Sequence, residues 1–182
     1  MILLLKKRFF EVSNINTSEY TGKTFRAFIV KISGTVKKMF AENIVMIGYS
    51  KAEGLLDEGL TKDDFREIVH KHYYPRQENK RPAGQIAGDF WRFIREMDLE
   101  HYVLVPTIDG YYIGKVAGPV TYNEMRIFND TAYQRKVQWL NNKEPVTLAK
   151  TPEKVKIRLK TVQAVIDASD LYQEIEFALR IS

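Results

Sequence analysis

The stretch from Gly88 to Gly118 constrains this chain more than any other. It opens with Gly88-Asp89-Phe90-Trp91-Arg92-Phe93-Ile94-Arg95-Glu96-Met97, continues through Val103-Leu104-Val105-Pro106, and closes with Tyr112-Ile113-Gly114-Lys115-Val116-Ala117-Gly118. The apolar positions Ile86, Phe90, Phe93, Ile94 and Met97 recur at helical spacing, which predicts a helix over about 83–97. A strand over 101–107 follows, then Asp109-Gly110, a strong hairpin signal, then a returning strand over 111–116. Gly118-Pro119 bends the chain into Val120-Thr121-Tyr122. Flat side chains beside small ones, in a β-rich unit, can enclose a planar ligand. The arrangement points to recognition rather than catalysis.

The flanking sequence predicts the remaining elements. Residues 2–12 read as a strand and 14–22 as a polar turn. Phe25 to Ile32 is a strand by its aromatic and branched content. A short helix over 34–43 puts Val36, Met39 and Phe40 on one face. Ile44-Val45-Met46-Ile47-Gly48-Tyr49 is continuously apolar, as in a strand buried on both faces. Thr61 caps a helix whose first turn holds Asp63 and Asp64, where acids favour the helix dipole. Tyr133 to Leu140 alternates, with Arg135, Val137 and Trp139 on one face and Gln134, Lys136 and Gln138 on the other. Pro152 opens a short basic helix, 161–166 is a closing strand, and Leu171, Ile175 and Leu179 mark a terminal helix. Strands separated by two helices imply an α+β domain built on a small mixed β-barrel or strongly curved sheet, with two or three flanking helices and a C-terminal helix. The expected divisions are 1–24 as an N-terminal strand and turn, 25–166 as the main module and 167–182 as the C-terminal helix.

With 182 residues, 45% hydrophobic and 28% charged, one core can form without staples. The absence of cysteine removes disulfides, thiolate zinc sites and cysteine nucleophiles. The first residues carry their charges after the apolar run, unlike a secretory leader, and no run reaches the ~18 residues of a membrane span. The expected setting is cytoplasmic, without membrane attachment. A formal charge of +5 favours an acidic partner, nucleic acid first. His70 and His72 lie two apart on a helix and His101 begins a strand, which is not metal-ligand spacing. Gly84-Gln85-Ile86-Ala87-Gly88 lacks the lysine of a phosphate loop. No cofactor and no metal are expected.

Several segments in order carry a resemblance: Ile47-Gly48-Tyr49, the helix over 61–73, Gly84-Gln85-Ile86, Phe90-Trp91-Arg92-Phe93, Met97, Val103-Leu104-Val105-Pro106, Ile113 to Pro119, Tyr122, and Arg135 to Leu140. Over about 25–166 the chain resembles the N-terminal module of Mrr-type restriction endonucleases and, more loosely, the PUA-like superfamily that includes EVE and YTH domains. The resemblance implies a PUA-like barrel that holds a modified or flipped base in an aromatic pocket. Two positions depart from the pattern: Glu100-His101 stands where Gly-Asp is usual, and Tyr49 where tryptophan is common. The sixteen residues after Ile166 are too few for the cleavage domain of Mrr enzymes. Glu153-Lys154-Val155-Lys156 sits in an expected helix and does not make a nuclease motif.

On this reading the base-binding pocket is Tyr49, Trp91, Tyr112 and Trp139, with Ser50, Gln85 and Asp89 reading polar edges. Stacking on aromatic faces contributes ~1–3 kcal/mol per base. The competing reading for any of these rings is ordinary core, and for Asp89 a solvated helix residue paired with Arg92. Phosphate contacts fall to Arg76, Lys80, Arg81, Arg92, Arg95, Lys115, Arg135 and Lys136. The group Lys150, Lys154, Lys156, Arg158 and Lys160 reads as a solvated face. The expected function is a non-catalytic module that binds DNA, favoured over RNA, in a restriction or defence setting, with a separate nuclease or other defence subunit as a possible partner and a homodimer through the C-terminal helix. The alternatives are an RNA-binding protein of the same fold, or an interaction subunit that binds no ligand.

Overall fold

The computed structural model describes residues 25–181. The strand expected over 2–12 and the turn after it lie outside the described residues. The elements run β1 (Ala27–Val30), α1 (Val36–Glu42), β2 (Ile44–Ile47), α2 (Lys62–Tyr73), α3 (Arg81–Trp91), β3 (Tyr102–Pro106), β4 (Gly110–Tyr122), β5 (Tyr133–Trp139), β6 (Val146–Thr147), α4 (Glu153–Leu159), β7 (Val165–Asp167) and α5 (Tyr172–Ile181).

The strands form one mixed sheet in the order β2-β5-β4-β3-β1-β7, with β6 added to β4. β1 and β3 are parallel and the other pairs antiparallel. The expected closed barrel does not form: among the described residues the end strands β2 and β7 do not pair, so the sheet is open. Helices cover it in place of closure. Alternate side chains of β1, β3 and β4 feed two separate cores: Phe28, Val30, Val103, Val105 and Val116 on one face, Ala27, Ile29, Leu104, Tyr111 and Ile113 on the other. This two-sided burial explains the continuous apolar runs.

The first face is covered by α2 and α3. α2 starts at a reciprocal cap in which Thr61 accepts the Asp64 amide and Asp64 accepts the Thr61 amide. α3 presents Ile86, Ala87 and Phe90 to the core, then widens into a π-turn over Arg92–Glu96 that buries Phe93 and Ile94. Gly114 lets β4 approach β5, since a Cβ there would meet Val137 Cγ1 at 2.4 Å and the Trp139 ring at 3.1 Å. The β3–β4 hairpin pairs Pro106 with Tyr111 and Val105 with Tyr112, and β4 runs on to Tyr122 through an irregularity between Val116 and Val120.

The second face is covered by α4 and α5. Leu171, Ile175 and Ala178 are buried against β1, β3 and β4 residues. The apolar stripe expected to hold a homodimer is therefore consumed within the chain. The basic residues near α4 are largely paired: Lys154 with Glu174, Lys156 with Glu153, Arg158 with Asp170.

Candidate nucleic-acid interface

β2 ends in a corner, Gly48-Tyr49-Ser50. Tyr49 adopts a positive φ of 63°, uncommon for a bulky residue and costing about 1–3 kcal/mol. Hydrogen bonds to the residues that follow hold it there. The Ser50 amide donates to Asp130 Oδ1 at 2.8 Å, the Tyr122 hydroxyl donates to the Ser50 carbonyl at 2.8 Å, and Ser50 Oγ accepts the Ala132 amide at 2.9 Å. One residue on, the Lys51 amide donates to the Tyr73 hydroxyl at 2.9 Å. Gly48 lies beneath this corner, where a Cβ would sit 2.6 Å from Asp130 Oδ2 and push the carboxylate aside.

The Tyr49 ring stays 37% exposed while its neighbour Ser50 is buried. It meets the Tyr73 ring edge-on, with centroids 5.3 Å apart. Burial raises the Tyr49 hydroxyl above its ordinary pKa, and the nearby Tyr74 hydroxyl and the Asp89 and Asp130 carboxylates add to the effect. Burial likewise raises Tyr73. Three phenols thus converge where β2 meets the end of α2. Beyond Tyr74 the chain enters an exposed loop carrying Arg76 and Lys80, and exposed Arg81 opens α3; Lys80 is bonded to Glu67 at 2.6 Å.

The four rings expected to wall one pocket fall into three groups by ring partner. Tyr112 and Trp139 both meet Phe40 of α1 edge-on, at 4.7 and 5.1 Å. Trp91 meets Phe65 of α2 at 5.3 Å, with the Lys62 ammonium 5.2 Å above its ring. These three rings are partly buried against the first core. Tyr49 is the ring directed to solvent at the pinned corner.

The polar residues separate in the same way. Gln85 is exposed on α3. Ser50 braces the corner through its hydroxyl and both backbone groups. Asp89 is not solvated: it is 7% exposed and accepts the Ala164 and Val165 amides at 3.1 and 3.3 Å, with Arg92 Nη1 at 3.4 Å. Burial raises its carboxyl above the ordinary aspartate range, against those bonds. It clamps β7 to α3.

Arg135 is the clearest departure among the expected phosphate contacts. It is 4% exposed and donates to the carbonyls of Phe93, Ile94 and Gly118 at 2.8, 3.2 and 3.3 Å. Its guanidinium serves the carbonyls at the end of the π-turn, and burial lowers its pKa to about 10. Arg92 is held by Asp89 and the Val165 carbonyl, Arg95 by the carbonyls of Leu55 and Asp57, and Lys115 by Glu100. Arg76, Arg81 and Lys136 are exposed, Lys136 reaching the Glu42 carbonyl at 3.2 Å. Tyr73, Tyr74 and Asp130 were not evident from the sequence. The Tyr-Tyr-Pro ending of α2 was the one available signal.

Among the described residues no group of His, Asp and Glu could hold a metal ion, and no helix is long and apolar enough to cross a membrane.

A family model described as a domain of unknown function, DUF8426, matches residues 29–165. The chain belongs to this family. The DUF8426 match spans β1 to the start of β7, and so contains the Tyr49 corner, the basic loop after α2 and the buried Arg135. A comparison with curated proteins finds no match. Among solved structures, the crystal structure of the MmI1 YTH domain is similar over 86% of this chain and 99% of that one, with a TM-score of 0.42 and 10% sequence identity. At that identity no residue role transfers to DUF8426.

Proposed function

We propose that the chain is a non-catalytic nucleic-acid-binding module that stacks one unpaired or extruded base on Tyr49. The observation that carries this reading is the Tyr49 corner itself. A large ring is held half-exposed at a strained backbone angle by bonds from Asp130, Tyr122 and Ala132. Strain that the surroundings enforce clusters at functional sites, and core packing does not require this ring to face solvent. A phenol face suits a base because stacking needs only a π surface, and the neighbouring Tyr73 and Tyr74 offer hydroxyls for its edge. The exposed Arg76, Lys80 and Arg81 supply positive charge beside it, enough to position a phosphate backbone without specifying sequence.

The pocket in this proposal is smaller than the one read from sequence: Tyr49, Tyr73 and Tyr74, with Trp91, Tyr112 and Trp139 given to packing. Modified DNA as the ligand, and a restriction or defence setting with a separate nuclease partner, rest on the resemblance alone. Competition among single-stranded RNA, plain duplex DNA and methylated duplex DNA, at several salt concentrations, tests the ligand class. Preferential retention on the methylated duplex, with affinity falling as salt rises, is expected. Retention on none of the three overturns the reading.

A further inference from the structure

Between β4 and β5 the chain makes a 3-10 turn over Glu124–Asn129 that carries two large apolar side chains in solvent: Phe128 is 100% exposed and Met125 89%. The turn is rigid. Asn123 accepts the Met125 amide through its side chain, and its own amide donates to Ala132. The Arg126 amide returns to the Asn123 carbonyl, the Asp130 amide to Ile127 and the Thr131 amide to Arg126. Arg126 is anchored to Glu42 at 2.8 Å. A backbone this well bonded could hide a phenyl ring at little cost. It displays one instead.

The turn also ends on the candidate site. Asp130, two residues after Phe128, is the acceptor that holds the Ser50 amide beside Tyr49. Two residues span at most ~7 Å, so the Phe128 backbone lies within that distance of the residue that braces the Tyr49 corner. The base of the turn carries both signs: Arg126 is paired with Glu42, and Glu124 and Asp130 flank it in the chain. Arg126 holds the Glu42 carboxyl below the ordinary glutamate range, with the charges of Lys38 and Lys136 also acting on it.

We propose that this turn is a wedge: Phe128, with Met125 beside it, enters a duplex at the step from which a base has moved onto Tyr49. Extruding a base costs a few kcal/mol of stacking, and apolar side chains inserted between base steps offset such losses. Lys38 and Lys136 would face the flanking phosphates, while Arg126 stays with Glu42. The inference rests on the base-stacking reading and deepens it, because a wedge has a role only on paired strands. It assigns a duplex, not a single strand, as the substrate.

The test compares the full chain with its Phe128→Ala, Phe128→Trp and Tyr49→Ala variants on two labelled probes: a short duplex with one mispaired adenine, and the adenine-bearing strand alone. Phe128 touches no core, so its replacement leaves folding intact. Phe128→Ala is expected to weaken duplex binding by at least about fivefold, the low end of a ring-on-base contact, with single-strand binding changed less than about twofold. Phe128→Trp should bind the duplex like the parent. If Phe128→Ala binds the duplex as the parent does while Tyr49→Ala does not, the wedge is wrong and the base reading stands. Loss on both probes to the same extent also overturns the wedge, as does a Phe128→Ala effect confined to self-association. If the parent binds neither probe, both proposals fall.

Discussion

The Asp130 carboxylate accepts the Ser50 amide at 2.8 Å and thereby fixes the backbone that turns the Tyr49 ring outward. This bond joins the corner after β2 to the turn before β5, a sequence separation of 80. The corner is therefore a tertiary construction rather than a property of the local turn.

Gly48→Ala should disturb that construction directly. The new methyl would sit 2.6 Å from Asp130 Oδ2, so the carboxylate must leave its place. Asp130→Ala removes the same acceptor without the clash. Each is expected to lower stability by about 1–3 kcal/mol, and Asp130→Asn, which keeps an amide oxygen, by less. Urea unfolding of the three variants checks the order.

Arg135→Met should be among the more damaging single changes. It leaves the carbonyls of Phe93, Ile94 and Gly118 without their donor in a dry interior. A loss of at least about 2 kcal/mol is expected, and Arg135→Lys, with one ammonium in place of a fork, should recover only part of it. A change confined to nucleic-acid affinity, with unfolding unaltered, would return Arg135 to the surface role first expected of it.

His101 makes the fold sensitive to mild acid. Its Nδ1 accepts the Asp98 amide at 3.0 Å, and burial, followed by the Arg26 charge, holds its pKa below the ordinary histidine value. The folded pKa is thus below the unfolded one. The stability this supplies is complete above about pH 6.5 and is lost as the pH falls through the folded value. Melting should drop as the pH falls below about 6.5, and His101→Asn, which offers the same amide an uncharged acceptor, should flatten that part of the profile. An unchanged profile in the variant would assign the acid sensitivity to other groups.

Much of this fold was legible because its signals are local. Asp109-Gly110 between two apolar runs marks the β3–β4 hairpin, Thr61 before Asp64 marks the start of α2, and the unbroken apolar run of β2 marks burial on both faces. Closure of the sheet was not legible, since it depends on whether β2 and β7 meet, which no local pattern reports. The turn before β3 shows how a missing signal can mislead. No glycine stands there, yet Glu100 adopts a φ of 66°, so the turn forms without that marker residue. Arg135 was misjudged although the pattern held the answer: it shares a strand face with Val137 and Trp139, and a charge on an apolar face is a charge turned inward. Asp89 escaped because its partners, the amides of Ala164 and Val165, lie 75 residues or more along the chain. The Tyr49 corner depends on Asp130 in the same way.

The central claim is tested most directly by measuring the affinity of the full chain, and of Tyr49→Phe and Tyr49→Ala, for a duplex carrying one methylated base. The phenylalanine variant keeps the stacking face and should bind within about twofold of the parent, whereas the alanine variant should lose at least about fivefold while its unfolding midpoint stays close to the parent's. Equal binding by all three proteins would contradict the account.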